Sequence, residues 1–190
     1  MKIGFVLFNT PAQSETFITS KLKGLQENGF KVVLFAKEKE KFDLCKVVPH
    51  PKISRFIIIQ LIQMMTAYGI LFFNHPIIFF RFLYREKKDG ISISSRWKNL
   101  YLNNHILKEK LDWLHFGFAT MTLKRENVAR AIDARMGVSL RGYDICIYPL
   151  KQPGCYERLW DKVDKVHSIS NDLLVAAQKQ DLTDDTPQIT

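Results

Sequence analysis

The sequence predicts an α/β fold in which a doubly wound parallel sheet has helices on both faces. Two apolar runs near the N-terminus, Lys2–Phe8 and Phe30–Ala36, are typical of strands buried on both sides, and a helical pattern lies between them. The alternation of strands and helices returns after residue 111. With 190 residues, 46% of them hydrophobic, the chain is long enough for one core, and we expect a single domain over residues 1–190.

The first βαβ unit has clear boundaries. A loop at Asn9–Gln13 contains Pro11, and Ser14 is a suitable N-cap for the helix that follows. Apolar residues then recur at helical spacing at Phe17, Ile18, Leu22 and Leu25. Asn28 and Gly29 end the helix, so the second strand should pair parallel to the first through a right-handed crossover.

The second half of the sequence repeats this pattern more weakly. Short apolar segments predict strands at Asp112–His115, Gly137–Leu140 and Val166–Ile169, and Ser170 is a plausible N-cap. The predicted helices are Thr120–Ala134, Tyr156–Val163 and Asn171–Gln180. The last residues, Gln188–Thr190, resemble the start of a further strand, and we expect a second domain to follow in the natural protein.

A hydrophobic insert separates the two halves over about residues 50–110, with its helices around residues 53–85. Phe56–Phe73 is almost wholly apolar, and Ile77–Leu83 continues it after a break. The run is close to the roughly 20 residues that a membrane span needs, but glutamines interrupt it. We therefore favour two helices joined at Pro76 that pack on the domain, with part of their apolar surface against a membrane face. A true span stays an alternative.

The positive charge is concentrated in this insert. The formal net charge is +9, and residues 51–110 hold 10 basic and 3 acidic side chains. Such a segment suits an anionic membrane surface. Nucleic-acid binding is the rival use of positive charge, but no recognition module is visible and the basic residues accompany a hydrophobic segment. We therefore expect no nucleic acid among the partners.

Composition excludes several other classes of protein. The high apolar fraction argues against disorder, and 9 glycines without a repeat argue against collagen. Three cysteines at unpatterned spacing make a disulfide framework improbable and favour a reducing compartment. The N-terminal apolar run is too short for a signal peptide, so we expect a cytoplasmic protein.

Common motifs for cofactors, metals and nucleophiles are missing from the sequence. There is no GxGxxG after the first strand, no P-loop, no GxSxG elbow, and no CxxC or HExxH pattern. We therefore expect neither a metal site nor a bound cofactor.

The loops after the strands remain, because open α/β sheets bind ligands at the carboxyl ends of their strands. The first loop leads into a helix whose free N–H groups suit an anion. Its candidate residues are Thr10, Ser14, Glu15 and Thr16. Glu15 fits ordinary helix capping equally well, and both interpretations stay open.

Two later loops also carry side chains that suit a ligand. His115 stands near Gly117 where a strand should end, although a histidine among apolar neighbours is often purely structural. Arg141 and Gly142 follow the next strand, with Asp144 close behind. A surface ion pair between Arg141 and Asp144 is the alternative to a ligand site there.

Four segments follow one another in an order typical of one family. They are P-x-x-SETFI at residues 11–18, HFG at 115–117, RGYDI at 141–145, and the stretch 156–170. Together they resemble the N-terminal domain of family 4 nucleotide-sugar glycosyltransferases, nearest to the branch that builds bacterial exopolysaccharide, capsule or lipopolysaccharide. The resemblance extends over the whole chain and is weak through residues 40–105.

The resemblance implies that the chain is one half of a GT-B fold, in which two Rossmann-like domains enclose the active site. The N-terminal domain of such enzymes mainly binds the acceptor. The C-terminal domain, which this chain does not contain, holds most of the nucleotide-sugar donor site. The implied reaction is glycosyl transfer with retention, without a metal, and the isolated domain should be inactive.

The resemblance also assigns roles to the loop residues. It implies that the first loop lines the cleft, that His115 lies near the reacting sugar, and that Arg141 meets a charged group of the ligand. The expected catalytic residues are His115, Arg141 and Asp144. The expected substrate-binding residues are Thr10, Ser14, Glu15, Thr16, Gly117, Gly142, Tyr143 and Ser170.

The implied partners are a sugar or lipid-linked sugar acceptor and the donor bound by the other domain. The insert would suit peripheral contact with the inner face of the cytoplasmic membrane. Two other functions stay open, namely a non-catalytic membrane-associated α/β module and a GT-B-shaped nucleotide-sugar epimerase.

Overall fold

The computed structural model describes residues 1–11, 16–37, 42–183 and 185–190. The strands are β1 Lys2–Asn9, β2 Lys31–Lys37, β3 Lys46–Val48, β4 Trp113–Phe116, β5 Arg135–Leu140, β6 Lys165–Ser168 and β7 Gln188–Ile189. They form one seven-stranded sheet in the order β3-β2-β1-β4-β5-β6-β7, and every neighbouring pair is parallel. The predicted doubly wound α/β fold is therefore confirmed, with a Rossmann-like strand order.

Helices cover both faces of the sheet. They are α1 Thr16–Glu27, α2 Ile57–Asn74, α3 Pro76–Lys88, α4 Ile93–Leu107, α5 Val128–Ala131, α6 Tyr148–Lys151, α7 Glu157–Trp160 and α8 Asn171–Gln178. Helix α1 packs Ile18 and Leu22 on one face of β1 and β2. The larger core on the opposite face includes residues of α2–α5, α7 and α8. Right-handed crossovers explain this division, because the chain moves one way from β1 to β2 and the other way from β4 to β7.

The sheet face that carries α1 is only partly covered. In β4 and β6, alternate residues enter the larger core, while Trp113, His115, Lys165 and His167 point to the other side. These four side chains line a cavity of about 380 Å³ beside α1. This alternation contrasts with β1 and β2, whose continuous apolar runs are buried on both faces.

Most predicted boundaries agree with the structure to within one or two residues. The strands β1, β2, β4, β5 and β6 are confirmed, as is the last strand, where Gln188 pairs with Val166. Ser170 caps α8 as predicted, and its side chain accepts a hydrogen bond from the Leu173 N–H at 3.4 Å. The predicted N-cap Ser14 lies outside the described residues.

Two helix predictions are wrong in extent. The predicted helix Thr120–Ala134 is instead a 3₁₀ turn at Ala119–Thr122 followed by the single turn α5. Lys124 between them adopts a left-handed conformation with φ 65°, which ends a helix. Asn127 is held by a tertiary hydrogen bond from its Nδ2 to Glu86 at 2.9 Å. The second prediction, Tyr156–Val163, shrinks to the single turn α7.

The insert consists of three helices, of which the sequence predicted two. The break at Pro76 is confirmed, since Pro76 begins α3. Helices α2 and α3 pack on each other and on α4, which was not predicted, and Leu71 and Phe82 enter the larger core. Among the helices of the described residues, α2 alone has the length and apolar composition of a membrane span, a weak indication that core helices share.

Candidate functional site

The topological switch point of the sheet lies between β1 and β4, because β1 connects to β2 on one side and β4 connects to β5 on the other. Open α/β sheets bind ligands at the carboxyl edge beside such a point, and we call this region, with the loops after β1, β4 and β5, the crevice. Thr10 follows β1 with 4% of its surface exposed, and its N–H donates to the Lys37 carbonyl at 3.0 Å. Gly117 follows β4, and its N–H donates to the Val6 carbonyl at 3.0 Å. A side chain at Gly117 would collide with Leu7.

Arg141 lies across this crevice. Its guanidinium carbon is 4.2 Å from the ring centre of Phe17, in the first turn of α1, and 5.8 Å from the ring of Phe118, in the loop after β4. Both distances fit cation–π contacts. The Arg141 Nε is buried without a hydrogen-bond partner, and the side chain forms no ion pair within the described residues. Burial lowers the pKa of Arg141, but a guanidinium keeps its charge at neutral pH.

Asp144 holds the Arg141 loop in place. Its Oδ1 accepts from the Arg141 N–H at 2.7 Å and its Oδ2 from the Ala119 N–H at 2.5 Å, so one carboxylate joins the loops after β5 and β4. The Tyr156 hydroxyl donates to the Asp144 carbonyl at 2.8 Å. Burial raises the pKa of Asp144 to about 6, while the two N–H donors oppose this rise. The alternative of a surface ion pair between Arg141 and Asp144 is wrong, because Asp144 is 1% exposed and binds backbone.

His115 is buried one residue before the end of β4. Its Nε2 lies 2.9 Å from the Ser139 Oγ, and its ring stacks on Phe5 with centres 4.6 Å apart. The Lys21 Nζ lies 3.5 Å from the same nitrogen. Burial, and then the charge of Lys21, lower the pKa of His115 well below its usual value, so the ring is neutral. The structure therefore places His115 beside α1 and within the influence of the Arg141 charge, with 8% of its surface exposed in the lining of the cavity described above.

Three residues near this histidine were not singled out from the sequence, namely Lys21, Ser139 and His167. Ser139 bridges the two histidines, since its Oγ lies 3.4 Å from the His167 Nδ1. Burial, and then repulsion from Arg141, lower the pKa of Lys21 to about 8. Burial and the same positive charges also lower the pKa of His167. The signal that sequence reasoning missed is the period-2 alternation of polar residues in β5 and β6.

Lys21, His115 and His167 form a basic cluster on the sheet face beside α1, within reach of the Arg141 charge. The charge of Arg141 disfavours the charged forms of Lys21, His115 and His167, and Lys21 has no ion-pair partner in the described residues. Two cations, Lys21 and Arg141, beside two histidines whose charged forms are disfavoured make a positive surface that an anionic ligand would stabilise.

The other predicted site residues are spread more widely along this edge. Thr16 is exposed at the start of α1, and Gly142 is exposed beside Arg141. Tyr143 is 57% exposed, and the Lys151 Nζ lies 5.8 Å from its ring centre. Ser170 acts as the cap of α8. Ser14 and Glu15 lie outside the described residues. Within the described ranges, no three or more His, Cys, Asp or Glu side chains group as a metal site would require.

Comparison of the sequence with models of known protein families finds no match, and comparison with curated proteins finds none either.

Proposed function

We propose that the chain is the acceptor-binding half of a retaining, nucleotide-sugar-dependent glycosyltransferase. The observation that carries the proposal is Arg141, a cation held between Phe17 and Phe118 at the crevice that forms no ion-pair contact with any described carboxylate. The four sequence segments that resemble this family include the loops that build this crevice.

In this proposal Arg141 binds the charged group of the ligand. A guanidinium presents a planar fork of donors to a phosphate or carboxylate, and the two aromatic rings hold it in place before the ligand arrives. Such preorganised cations stabilise the negative charge that develops on a departing nucleotide diphosphate. Gly142 and Tyr143, which are exposed beside Arg141, would line the same wall.

Asp144 and His115 act as positioning residues in this scheme. Asp144 binds the backbone N–H groups that fix the Arg141 and Phe118 loops. His115 supports Ser139 beneath the crevice, and its neutral ring adds no further repulsion beside Lys21. Thr10 and Gly117 keep the ends of β1 and β4 close to their neighbours, which sets the width of the crevice.

The donor site belongs, in this proposal, to a second domain outside the chain, so the 190 residues alone bind acceptor but do not complete a transfer. The substrates of the proposed reaction are a nucleotide-diphosphate sugar as donor and a sugar or lipid-linked sugar as acceptor. We propose that the enzyme takes part in the synthesis of bacterial cell-surface polysaccharide. It would be a cytoplasmic protein bound peripherally to the inner face of the cytoplasmic membrane.

A transfer assay on the full-length protein tests this proposal. Incubation with nucleotide-diphosphate sugars and membrane-derived acceptors should release nucleoside diphosphate and yield a product with the donor's anomeric configuration, as read by NMR. Inversion of configuration, or interconversion of the sugar without transfer, would point to a different enzyme class.

A second candidate, a non-catalytic membrane-associated module, is favoured by the exposed apolar surface of α2, which buries only Ala67 and Leu71. The two candidates differ in what they require of Arg141. A purely structural module keeps its full function after Arg141→Ala, whereas the transferase loses most of its activity.

A further inference from the structure

Helices α2 and α3 carry nearly half of the large apolar side chains that the described chain exposes. On α2 these side chains recur at helical spacing along the side opposite Ala67 and Leu71, which are buried. They are Ile58, Leu61, Ile62, Met65, Phe72 and Phe73. Phe73 is 81% exposed and Ile58 is 70% exposed. Soluble proteins rarely leave a continuous apolar surface of this kind without a partner.

Helix α3 extends this surface. Its exposed apolar residues, Ile77, Phe80 and Tyr84, follow one another at intervals of three and four residues and so form one stripe. The ring centre of Phe80 lies 5.8 Å from that of Phe72 on α2, which makes the two helices contribute to one surface. We call the exposed residues of α2 and α3 named above the apolar face. An open cleft of about 380 Å³ beside it has an almost wholly apolar lining that includes Met65, Phe79 and Trp97.

Exposed cations flank the two helices in sequence, at the end of each helix that is farther from Pro76. Lys52 and Arg55 precede α2, and Lys87 and Lys88 lie in the last turn of α3. None of these four forms an ion pair within the described residues.

The acidic side chains of the insert do not offset this charge. Glu86 is 1% exposed and accepts hydrogen bonds from Asn99 and Asn127. Asp89 pairs with Lys162 at 2.6 Å, and Glu109 pairs with Lys2 at 2.6 Å. All three carboxylates of the insert therefore have partners within the domain. The exposed cations next to the apolar face are not balanced by acidic side chains of the insert.

We propose that the apolar face docks onto an anionic lipid surface, with α2 and α3 lying in the plane of the interface. Apolar side chains would enter the acyl boundary while the flanking lysines and arginine meet lipid headgroup phosphates. This inference rests on the proposed peripheral location but not on the transfer chemistry.

Two features favour this arrangement over a membrane span or a dimer. The inner side of α2 is fixed to the domain, because Leu71 is fully buried and the Tyr68 hydroxyl donates to the Trp97 carbonyl at 2.7 Å, and a span would break these contacts. A symmetric dimer through the same face would bring identical cations together, which costs electrostatic energy. An anionic lipid surface has the opposite charge and therefore suits the whole patch.

Vesicle flotation of the 190-residue chain tests the proposal. The chain should float with vesicles of phosphatidylcholine and phosphatidylglycerol, bind pure phosphatidylcholine more weakly, and lose part of its binding in high salt. Lys87→Gln/Lys88→Gln should weaken partitioning about 30-fold, since each basic residue near such a surface contributes about 1 kcal/mol. The matched control, Lys23→Gln/Lys179→Gln, removes two exposed lysines elsewhere and should bind like the wild type.

A second pair of variants tests the apolar contribution. Ile58→Ser/Phe73→Ser should reduce partitioning at least about 100-fold. Leu150→Ser/Val175→Ser, which alters exposed apolar residues away from the insert, should have no effect. All four altered side chains are exposed, so urea unfolding should show each variant folded.

Three results would overturn the proposal. They are a wild-type chain that does not float with anionic vesicles, an Ile58→Ser/Phe73→Ser variant that floats like the wild type, and a dimer in lipid-free buffer that this variant dissociates without any vesicle binding. Arg141→Ala should float normally, so failure of the docking surface can be told apart from failure of the proposed transferase site.

Discussion

The guanidinium carbon of Arg141 lies 4.2 Å from the centre of the Phe17 ring, which joins the end of β5 to the first turn of α1. Phe118 contributes a second ring at 5.8 Å from the loop after β4. Asp144 fixes the backbone of this arginine through the 2.7 Å bond to its N–H. The side chain therefore reaches the crevice in a fixed position, with its charge available to a ligand.

Replacing Arg141 tests this arrangement through activity. In the two-domain transferase that we propose, Arg141→Ala should lower kcat/KM by a factor that corresponds to about 2–4 kcal/mol of transition-state stabilisation, because a preorganised cation is lost. Arg141→Lys should recover only part of this loss, since an ammonium lacks the planar fork and the ring stacking. Steady-state kinetics measure both effects, and wild-type turnover in Arg141→Ala would mean that the loop is only scaffold.

Replacing Asp144 tests the anchor beneath the arginine. Asp144→Ala should reduce the free energy of unfolding by about 2–6 kcal/mol, because it leaves two buried N–H groups without an acceptor. Asp144→Asn keeps one acceptor and should cost less. Asp161→Ala, at an exposed aspartate, is the control and should stay within about 0.5 kcal/mol of the wild type. Urea unfolding that finds Asp144→Ala equal to this control would contradict the anchoring role.

The sequence predicted the central strands of the sheet well, because a strand that is buried on both faces is a continuous apolar run in the sequence. Lys2–Phe8 and Phe30–Ala36 are continuous apolar runs, and the structure pairs them in parallel as β1 and β2. The helix predicted at Thr120–Ala134 failed for a non-local reason. Asn127 reaches Glu86, 41 residues away, and the left-handed Lys124 separates two short turns. Helix propensity does not record such tertiary bonds.

Local sequence rules identified some residues of the candidate site and missed those that depend on contacts between distant segments. Arg141 and Asp144 stand next to a strand end, so the rule for open α/β sheets identified both. The use of Asp144 as a backbone anchor depends on Ala119, which is 25 residues away in sequence. Lys21 lies in the middle of α1 and reaches His115 across 94 residues, a contact that no local pattern encodes.

Acid should destabilise the protein through its buried histidines. Burial lowers the pKa of His105 from 6.5 to about 3, and its Nε2 lies 3.1 Å from the His50 Nδ1. Below pH 6.5 the unfolded chain therefore binds a proton at His105 that the folded chain excludes. This group does not reduce the free energy of unfolding above about pH 7, but it reduces it progressively as the pH falls toward 3. The expected slope from His105 alone is about 1.4 kcal/mol per pH unit between about pH 6 and pH 4.

Urea unfolding across this pH range measures that slope. The variant His105→Gln should flatten the dependence by about the amount assigned to one histidine. An identical pH dependence in wild type and variant would show that His105 has the same pKa in the folded and the unfolded chain, contrary to the effect expected from its burial.

The two sides of α2 should respond differently to truncation. Leu71→Ala should lower the free energy of unfolding by about 2–5 kcal/mol, because Leu71 is fully buried in the larger core. Ile58→Ala, on the exposed side, should stay within about 0.5 kcal/mol of the wild type. Equal effects at the two positions would contradict the orientation of α2 and with it the exposure of the apolar face.

The most direct test of the proposed ligand site is a titration of the ¹⁵N-labelled 190-residue chain with sugar phosphates as analogues of a phosphorylated sugar acceptor, followed by ¹H–¹⁵N NMR. We expect saturable shifts of the Phe118, Arg141 and Gly142 amides, and their loss in a folded Arg141→Ala variant. Unchanged spectra on addition of every ligand, or the same shifts in Arg141→Ala, would contradict the assignment of this crevice as the ligand site.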